Sequence, residues 1–302
     1  MESLKEITQR VKQVEDTEKL THAMYLITSN ELKKAREQVD RTEPFFEALK
    51  VEIKRIFRTV GDVESPYFYP PNMEDFVNGS YGIFAIAANR GLAGSYDMDV
   101  IRATEAILKH HSDARLYVLG DRGRRVFRSR GHQIEEDFVF SQRVPDLDLA
   151  RAISLYLLDE YNTGRIKKLF MVYSSVNKGR KTQVVSTRLL PFHRGYFDEE
   201  KSKTEEPVKN PFNFEPSVEE VLNHVLTSYI QGLVYGGLVE SYFGEEEARM
   251  MAMDQASNNA KDILAGLEHE RNHLRQEQIT AEISQVAAAA KAYRQEIAKR
   301  KE

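Results

Sequence analysis

The sequence contains no cysteine among its 302 residues. This absence excludes disulfide bridges, thiolate zinc sites and a cysteine nucleophile, and it suits a reducing compartment. The formal net charge is −4, so the basic excess typical of nucleic-acid-binding proteins is also lacking. No apolar run approaches the roughly 18 residues that a membrane span needs, and the first residues resemble neither a signal peptide nor a transit peptide. We therefore expect neither a transmembrane helix nor a targeting segment.

Proline and glycine, the residues that most often interrupt helices, are missing from long stretches of the chain. Residues 1–60 contain no glycine and one proline, Pro44, and residues 217–302 contain no proline. The other eight prolines lie within 61–216, whose last part, 197–216, is polar and charged. The distribution predicts an amino-terminal helix at 1–60, a mixed domain at 61–216 that ends in a polar linker at 197–216, and a carboxy-terminal helix at 217–302.

The amino-terminal helix carries a row of residues spaced alternately by three and four, as in the seam of a coiled coil. Three positions of the row are polar, and Leu20, Met24 and Ile27 form a second apolar edge, so we expect this helix to meet more than one surface. Pro44 is expected to kink the helix rather than end it, because helical spacing resumes immediately. The row consists of Leu4, Ile7, Val11, Val14, Glu18, Thr21, Tyr25, Thr28, Leu32, Ala35 and Val39.

The carboxy-terminal helix repeats this spacing in two separate runs. Gly232, Gly236 and Gly237 lie between the runs, where they permit another backbone to approach closely. The first run is Val218, Leu222, Val225, Tyr229 and Leu233, and the second is Ile279, Ile283, Val286, Ala290, Tyr293 and Ile297.

The mixed domain alternates short apolar runs with helical stretches, which predicts a parallel sheet with helical crossovers. We predict strands at 81–88, 114–120 and 168–177, an additional edge strand at 182–192, and helices at 97–111, 121–131 and 146–164. The predicted fold class is α/β: a long antiparallel two-helix coiled coil made by the terminal segments, with an inserted Rossmann-like α/β domain whose sheet is mostly parallel.

The connectivity predicts an unpaired end. Two helices that flank an inserted domain return alongside each other as an antiparallel pair, and the second is longer than the first. The last ~30 residues then extend beyond the amino terminus as a single helix of ~45 Å. Isolated helices are marginal in water, and this one carries the second apolar run, so we expect another protein to enclose it.

Several motifs contain residue types that occur in chemical sites, but none predicts a catalytic, cofactor or metal site. The stretch "ANRGLAGSYD" at 88–97 could cradle a phosphate, but it lacks the spacing of the dinucleotide and P-loop motifs, so a tight turn is favoured. The basic stretch at 120–131 could bind phosphates, but a solvated helix face is favoured. The adjacent histidines at 110–111 are poorly arranged to bind one metal ion, because neighbours on a helix point apart. The methionines Met250, Met251 and Met253 are expected to pack, and the alternative that they form an adaptable binding surface is compatible with packing in a two-helix rod. Arginines Arg249, Arg271 and Arg275 are expected to be solvated.

The same helices carry motifs that resemble the gamma subunit of F-type ATP synthases. "ARMMAMDQASNNA" and "RQEQITAEI" are similar to the carboxy-terminal helix of that family, "LKEITQRVKQVEDTEKLTHAM" to its amino-terminal helix, and "NRGLAG" to its D-R-G-L-C-G loop. The family's M-V-A-A-x-K-L is replaced after Met24, and the loop has Asn89, Ala93 and Ser95 at positions that differ from the family, which indicates a divergent branch.

The resemblance implies the rotating central shaft of an ATP synthase, which couples ion-driven rotation to ATP synthesis or hydrolysis and has no catalytic residue or cofactor of its own. It implies the alpha and beta subunits, the epsilon subunit and the c-ring as partners, with no nucleic acid. It also implies a peripheral position at the cytoplasmic face of the energy-transducing plasma membrane. The partner-contact residues that it implies are Met24, Arg249, Met250, Met253, Asn259, Arg275, Gln276, Thr280 and Glu282.

Two other functions remain open from the residues alone. A Rossmann-like nucleotide-binding enzyme with helical arms would bind nucleotide as an isolated chain. A free-standing coiled-coil scaffold would associate with itself through the seam, and the polar seam residues count against it.

Overall fold

A computed structural model describes residues 3–60, 65–69, 80–111, 113–141, 144–176, 182–193 and 214–299. It contains five helices and four strands in these ranges. In chain order they are α1 (Leu4–Val60), β1 (Tyr81–Ile86), α2 (Tyr96–Leu108), β2 (Arg115–Leu119), α3 (Asp121–Ser129), α4 (Leu147–Asn162), β3 (Lys168–Val176), β4 (Thr182–Leu190) and α5 (Val218–Lys299). The chain divides into two compact units, Met1–Ile27 with Met251–Glu302, and Thr28–Met250.

The larger unit, Thr28–Met250, is built on one four-stranded sheet in the order β2-β1-β3-β4. The central strand β1 pairs parallel with β2 and with β3, and β4 pairs antiparallel with β3 at the edge. The predicted fold class is confirmed, and the predicted edge strand is present; its antiparallel direction was not predicted. Each predicted strand and helix of the mixed domain is present, with ends that differ by at most three residues.

Helices cover both faces of this sheet because its inner strands are apolar on both sides, as parallel sheets require. One face, with Phe84, Ile86 and Met171, packs against α4 and the early part of α5. The opposite face, with Ile83 and Val172, packs against α2 and α3. The first apolar run of α5 packs on the face that contains Phe84, Ile86 and Met171, and its residues Leu222 and Tyr229 are buried there.

Small residues let α5 lie close to β3. A Cβ added to Gly237 would come within 2.7 Å of the Met171 side chain, and one added to Gly244 would come within 2.8 Å of Thr182 and 2.9 Å of Ser174. The close approach predicted for the glycines of α5 is therefore present at Gly237, although the facing group is a side chain rather than a backbone.

The smaller unit, Met1–Ile27 with Met251–Glu302, is an antiparallel pair of helical segments. Ile7 and Val11 of α1 pack against Leu267 of α5, while Glu18 meets Ser257 and Lys261. Residue numbers in contact increase along α1 while they decrease along α5, so the two segments run antiparallel.

The seam predicted for α1 is the buried face of that helix in both units. Every described member of the row is buried or half-buried, and the side chain of Val39 lies outside the described set. In contrast, the second apolar edge is largely uncovered, with Leu20 and Ile27 more than half exposed. Helix α1 continues through Pro44 without ending, as expected. The predicted linker at 197–216 lies mostly outside the described residues.

Candidate partner-binding site

The far end of α5 consists of a single helix with no other element against it in the described ranges. Leu274 is the last half-buried side chain, and residues 275–293 are all exposed. The side-chain hydrogen bonds of this stretch stay within the helix: Thr280 donates to the Gln276 carbonyl at 2.8 Å, and the Gln278 amide donates to Glu282 at 3.2 Å.

An apolar row runs along this exposed end. Ile279, Ile283, Val286 and Tyr293 lie three, four or seven residues apart, and their exposed fractions range from 46% to 69%. Such spacing places them on one side of the helix. Contiguous exposed apolar surface of this kind is typical of protein–protein contacts.

The methionines divide between packing and exposure. Met253 is buried in the smaller unit, Met24 and Met250 are half-buried, and Met251 is exposed. Asn259 is exposed on the same helix. Packing, as expected, accounts for Met253, while Met251 adds to the uncovered apolar surface of the paired segments.

Arg249 is not solvated, so that expectation was wrong. Its side chain is only about 5% exposed, and its guanidinium pairs with Glu245 and with Glu246, one turn earlier in α5. Its Nε also donates to the Gly91 carbonyl at 3.4 Å. A guanidinium removed from water needs such partners, and its planar fork can bind two carboxylates at once. Arg275, by contrast, is exposed as expected, and Arg271 is half-buried.

The loop that follows β1 is held to α5 by this group. The Asn89 backbone N–H donates to Glu245 at 3.4 Å, while the Ala88 N–H donates to Asp97 at 3.0 Å, and Asp97 is also paired with Arg122. Leu92 and Gly94 adopt left-handed φ values of 68° and 55°. Two N–H groups that could have cradled a phosphate are therefore bound to carboxylates, which agrees with the tight-turn interpretation.

Burial and charge set the ionisation of this cluster. Burial raises the pKa of Glu245, and the neighbouring Glu246 adds to the shift, while Arg249 and the Asn89 N–H oppose it. Burial acts to lower the pKa of Arg249, but the two carboxylates outweigh it and raise that pKa. Glu245 and Glu246 both pair with Arg249, so the three side chains carry a net charge of −1 when all are ionised. Sequence reasoning missed this cluster, although "GEEEAR" at 244–249 places glutamates three and four residues before the arginine.

Comparison with known proteins identifies the family. A family model described as ATP synthase matches residues 3–293. The ATP synthase gamma chain of Caldanaerobacter subterraneus subsp. tengcongensis is 32% identical over 292 residues, which cover 95% of this chain and 98% of that protein. The chain belongs to the ATP synthase gamma chain family. The family predicted from the motifs is thereby confirmed.

Other members of the gamma chain family match over a similar length. The gamma chain of Acetivibrio thermocellus is 32% identical over 295 residues, covering 97% of this chain and 99% of that protein. The gamma chain of Acetobacterium woodii, named as sodium ion specific, is 28% identical over 303 residues, covering 96% and 99%. The alternatives of a nucleotide-binding enzyme and of a coiled-coil scaffold lose their support, because these relatives span the helices as well as the inserted domain.

Solved structures of ATP synthases share the gamma chain fold. A chain in the central stalk and c-ring structure from Tetrahymena thermophila mitochondria superposes with a TM-score of 0.54 at 19% identity, covering 79% of this chain and 99% of that one. A chain from the Euglena gracilis mitochondrial enzyme gives 0.53 at 13% identity, covering 90% and 95%. Among the described residues of this gamma chain, no group of side chains suits a metal ion, and no helix is long and apolar enough to cross a membrane.

Proposed function

We propose that this gamma chain is the central rotor shaft of an F-type ATP synthase, coupling ion-driven rotation of a c-ring to ATP synthesis or hydrolysis by alpha and beta subunits. The chain itself contributes geometry and no chemical step. The observation that carries the proposal is the exposed end of α5, because residues 275–293 present polar groups and an apolar row that no other described part of the chain covers.

The mechanical role follows from the shape of that surface. A rod whose sides differ in chemistry contacts each surrounding subunit differently as it turns, and different contacts stabilise different states of those subunits. Arg275, Gln276, Thr280 and Glu282 supply polar groups to the alpha and beta subunits within this surface. Met24, Met253 and Asn259 serve the paired segments of the smaller unit. In the larger unit, Arg249 holds the loop after β1 to α5, and Met250 follows it along that helix.

The remaining assignments are part of the same proposal. The helical segments 1–60 and 217–302 form the shaft, with its last ~30 residues protruding, and the mixed domain at 61–216 faces the epsilon subunit and the c-ring. The assembly holds the chain peripherally at the cytoplasmic face of the energy-transducing plasma membrane. Support comes from family membership and from the motif match of Arg275 and Gln276.

Removal of residues 290–302 tests the proposal. We expect the truncated chain to assemble less stably with alpha and beta subunits, or to transmit less torque in a single-molecule rotation assay. The thermal unfolding of the mixed domain should be unchanged, because Tyr293 and its exposed neighbours contribute nothing to that core. Unchanged torque and complex stability would contradict the proposal.

A point variant sharpens the same test. Replacing Arg275 and Gln276 together with alanine should weaken assembly with the alpha and beta subunits. Replacing Arg102, an exposed arginine of α2 outside the helix end, should leave assembly with these two subunits at the wild-type value. Equal effects of the two changes would show that loss of surface charge, rather than loss of a specific contact, is responsible.

A further inference from the structure

A group of cationic and aromatic side chains lies where the amino-terminal ends of β1 and β3 meet β4. In the sheet register Tyr81 pairs with Lys168, and Phe170 pairs with Arg188. Paired residues and alternate residues of one strand point to the same side of a sheet, so these four side chains share one face. Tyr69, from the segment that precedes β1, adds a third aromatic ring to them.

The two cations of this group are held by rings. Lys168 is only 9% exposed, and its Nζ lies 5.3 Å from the centre of the Tyr81 ring and 6.0 Å from that of Tyr69. The guanidinium carbon of Arg188 lies 5.5 Å from the centres of the Tyr69 and Phe170 rings. Aromatic faces attract cations, but they leave the positive charge in place.

No carboxylate of the described residues lies within ion-pair distance of either cation. The other buried charges of this unit differ in this respect: Arg249 has two glutamates, and Glu160 has Arg165. Taking a charge out of water without a counter-charge is costly, and proteins ordinarily pair such groups. Two cations that share the Tyr69 ring and have no counter-charge in the described part of the chain are therefore suited to bind an anion.

The hydrogen-bonding capacity left over in the group matches that need. Among the residues that the structure describes, neither the Tyr69 hydroxyl nor the Nε of Arg188 has a hydrogen-bond partner, although both are buried and Tyr69 is only 3% exposed. The Nζ of Lys168 donates one long hydrogen bond, 3.4 Å, to the Tyr81 hydroxyl. Arg188 uses an Nη to donate to Nε2 of His193, since a guanidinium has no acceptor. The Arg188 Nε–H can only donate and the Tyr69 hydroxyl can donate, so the group suits a ligand that is rich in acceptors.

We propose that Lys168, Arg188 and Tyr69 form a binding site for a small tetrahedral oxyanion of the phosphate class. Arg188 Nε, Lys168 Nζ and the Tyr69 hydroxyl would each donate to one of its oxygens, and the two cations neutralise its charge. The site lies at the opposite end of β1 from the loop at 88–95, whose N–H groups are already bound to carboxylates. It is independent of the shaft role and uses none of the partner-contact residues.

Isothermal titration of the full-length chain with inorganic phosphate tests the site. Sodium chloride should be exchanged against sodium phosphate at constant ionic strength, so that general screening does not contribute. We expect saturable binding of one phosphate per chain. Lys168→Gln and Arg188→Gln should each weaken binding by at least about tenfold, because each removes a charged donor. Parallel titrations with sulfate and with AMP show whether the free anion or a phosphate ester binds better, and saturable binding of either supports the site.

Two further variants guard against misfolding and non-specific charge effects. Tyr69→Phe keeps the ring and removes only the hydroxyl, so it should fold normally and bind phosphate about fivefold more weakly. Lys167→Gln removes an equally charged, exposed neighbour of Lys168 and should bind as the wild type does. Absence of saturable phosphate binding by the wild type, or an equal loss in the Lys167 and Lys168 variants, would overturn the proposal.

Discussion

Two carboxylates, Glu245 and Glu246, face one buried guanidinium, that of Arg249, and the same guanidinium reaches the loop at Gly91. Replacing Arg249 with glutamine leaves both carboxylates without their counter-charge. Breaking a buried pair by removing one partner typically costs about 3–5 kcal/mol. We expect a loss of that order in the free energy of unfolding, measured by urea titration followed by circular dichroism.

Arg271 provides the matched control on the same helix. It lies 3.9 Å from Glu268, with both side chains at least one-third exposed. Such surface pairs contribute about 0–1 kcal/mol, so Arg271→Gln should change stability by no more than that. A similar, small loss in both variants would show that the Arg249 pairs are not stabilising the loop.

The raised pKa of Glu245 makes stability depend on pH. Its carboxyl keeps a proton in the folded chain at pH values where the unfolded chain has released it, so folding binds protons in that interval. The contribution of Glu245 is therefore greatest below its ordinary pKa and is lost as the pH rises through the folded pKa. Glu245→Gln should remove this loss, so the stability of the variant relative to the wild type should increase as the pH rises from acid to neutral.

Urea midpoints measured at several pH values decide the point. Glu268→Gln, a change at an exposed carboxyl of the same helix, should give a curve parallel to that of the wild type. If the Glu245→Gln curve were also parallel, its carboxyl would have the same pKa in the folded and unfolded chains.

Two glycines of helix α5, Gly266 and Gly244, differ in the space around them, so alanine should have opposite effects on stability at the two positions. Gly266 has nothing within 4 Å of an added Cβ, whereas at Gly244 the Cβ would come within 2.8 Å of Thr182 and 2.9 Å of Ser174. Alanine is favoured over glycine in a helix by about 1 kcal/mol. Gly266→Ala should therefore stabilise the chain by up to that amount. Gly244→Ala should instead destabilise it by about 1–3 kcal/mol, because overpacking outweighs the helix preference. Thermal unfolding of both variants checks this, and stabilisation of both would contradict the close packing of α5 on β3.

The helices and strands could be predicted because local patterns specify them. The alternation of three and four along α1 identified its buried face from Ile7 to Ala35, and the apolar runs located all four strands. Continuation through Pro44 was also predictable, since helical spacing resumed after it. These features depend on neighbours in the sequence, and burial on one side of an element is their direct consequence.

The side-chain clusters could not be predicted in the same way. The burial of Arg249 could not be predicted because it depends on the loop at Gly91, which is 158 residues distant in the sequence. Lys168 and Arg188 come together only through the register of β3 and β4, and Tyr69 joins them from a third segment. Partners from separate segments leave no periodic pattern, so the structure was needed to find them.

The molecule as a whole combines a fully packed part with an uncovered part. The sheet and the early part of α5 form a closed core, whereas residues 275–293 of the same helix are exposed on every side. A single helix without tertiary contacts opens readily in water, because most helix stability in proteins comes from packing. We infer that the end of α5 is stabilised as a helix by contacts with alpha and beta subunits that surround it.

Amide hydrogen exchange over residues 275–293 tests most directly whether alpha and beta subunits enclose this helix end. In the isolated chain these amides should exchange quickly, while those of the sheet core, such as Ile83 and Phe84, should remain protected. In the assembled complex with alpha and beta subunits, residues 275–293 should become strongly protected. Exchange that is equally fast in the complex and in the isolated chain would contradict the role of this helix end as the enclosed tip of a rotor shaft.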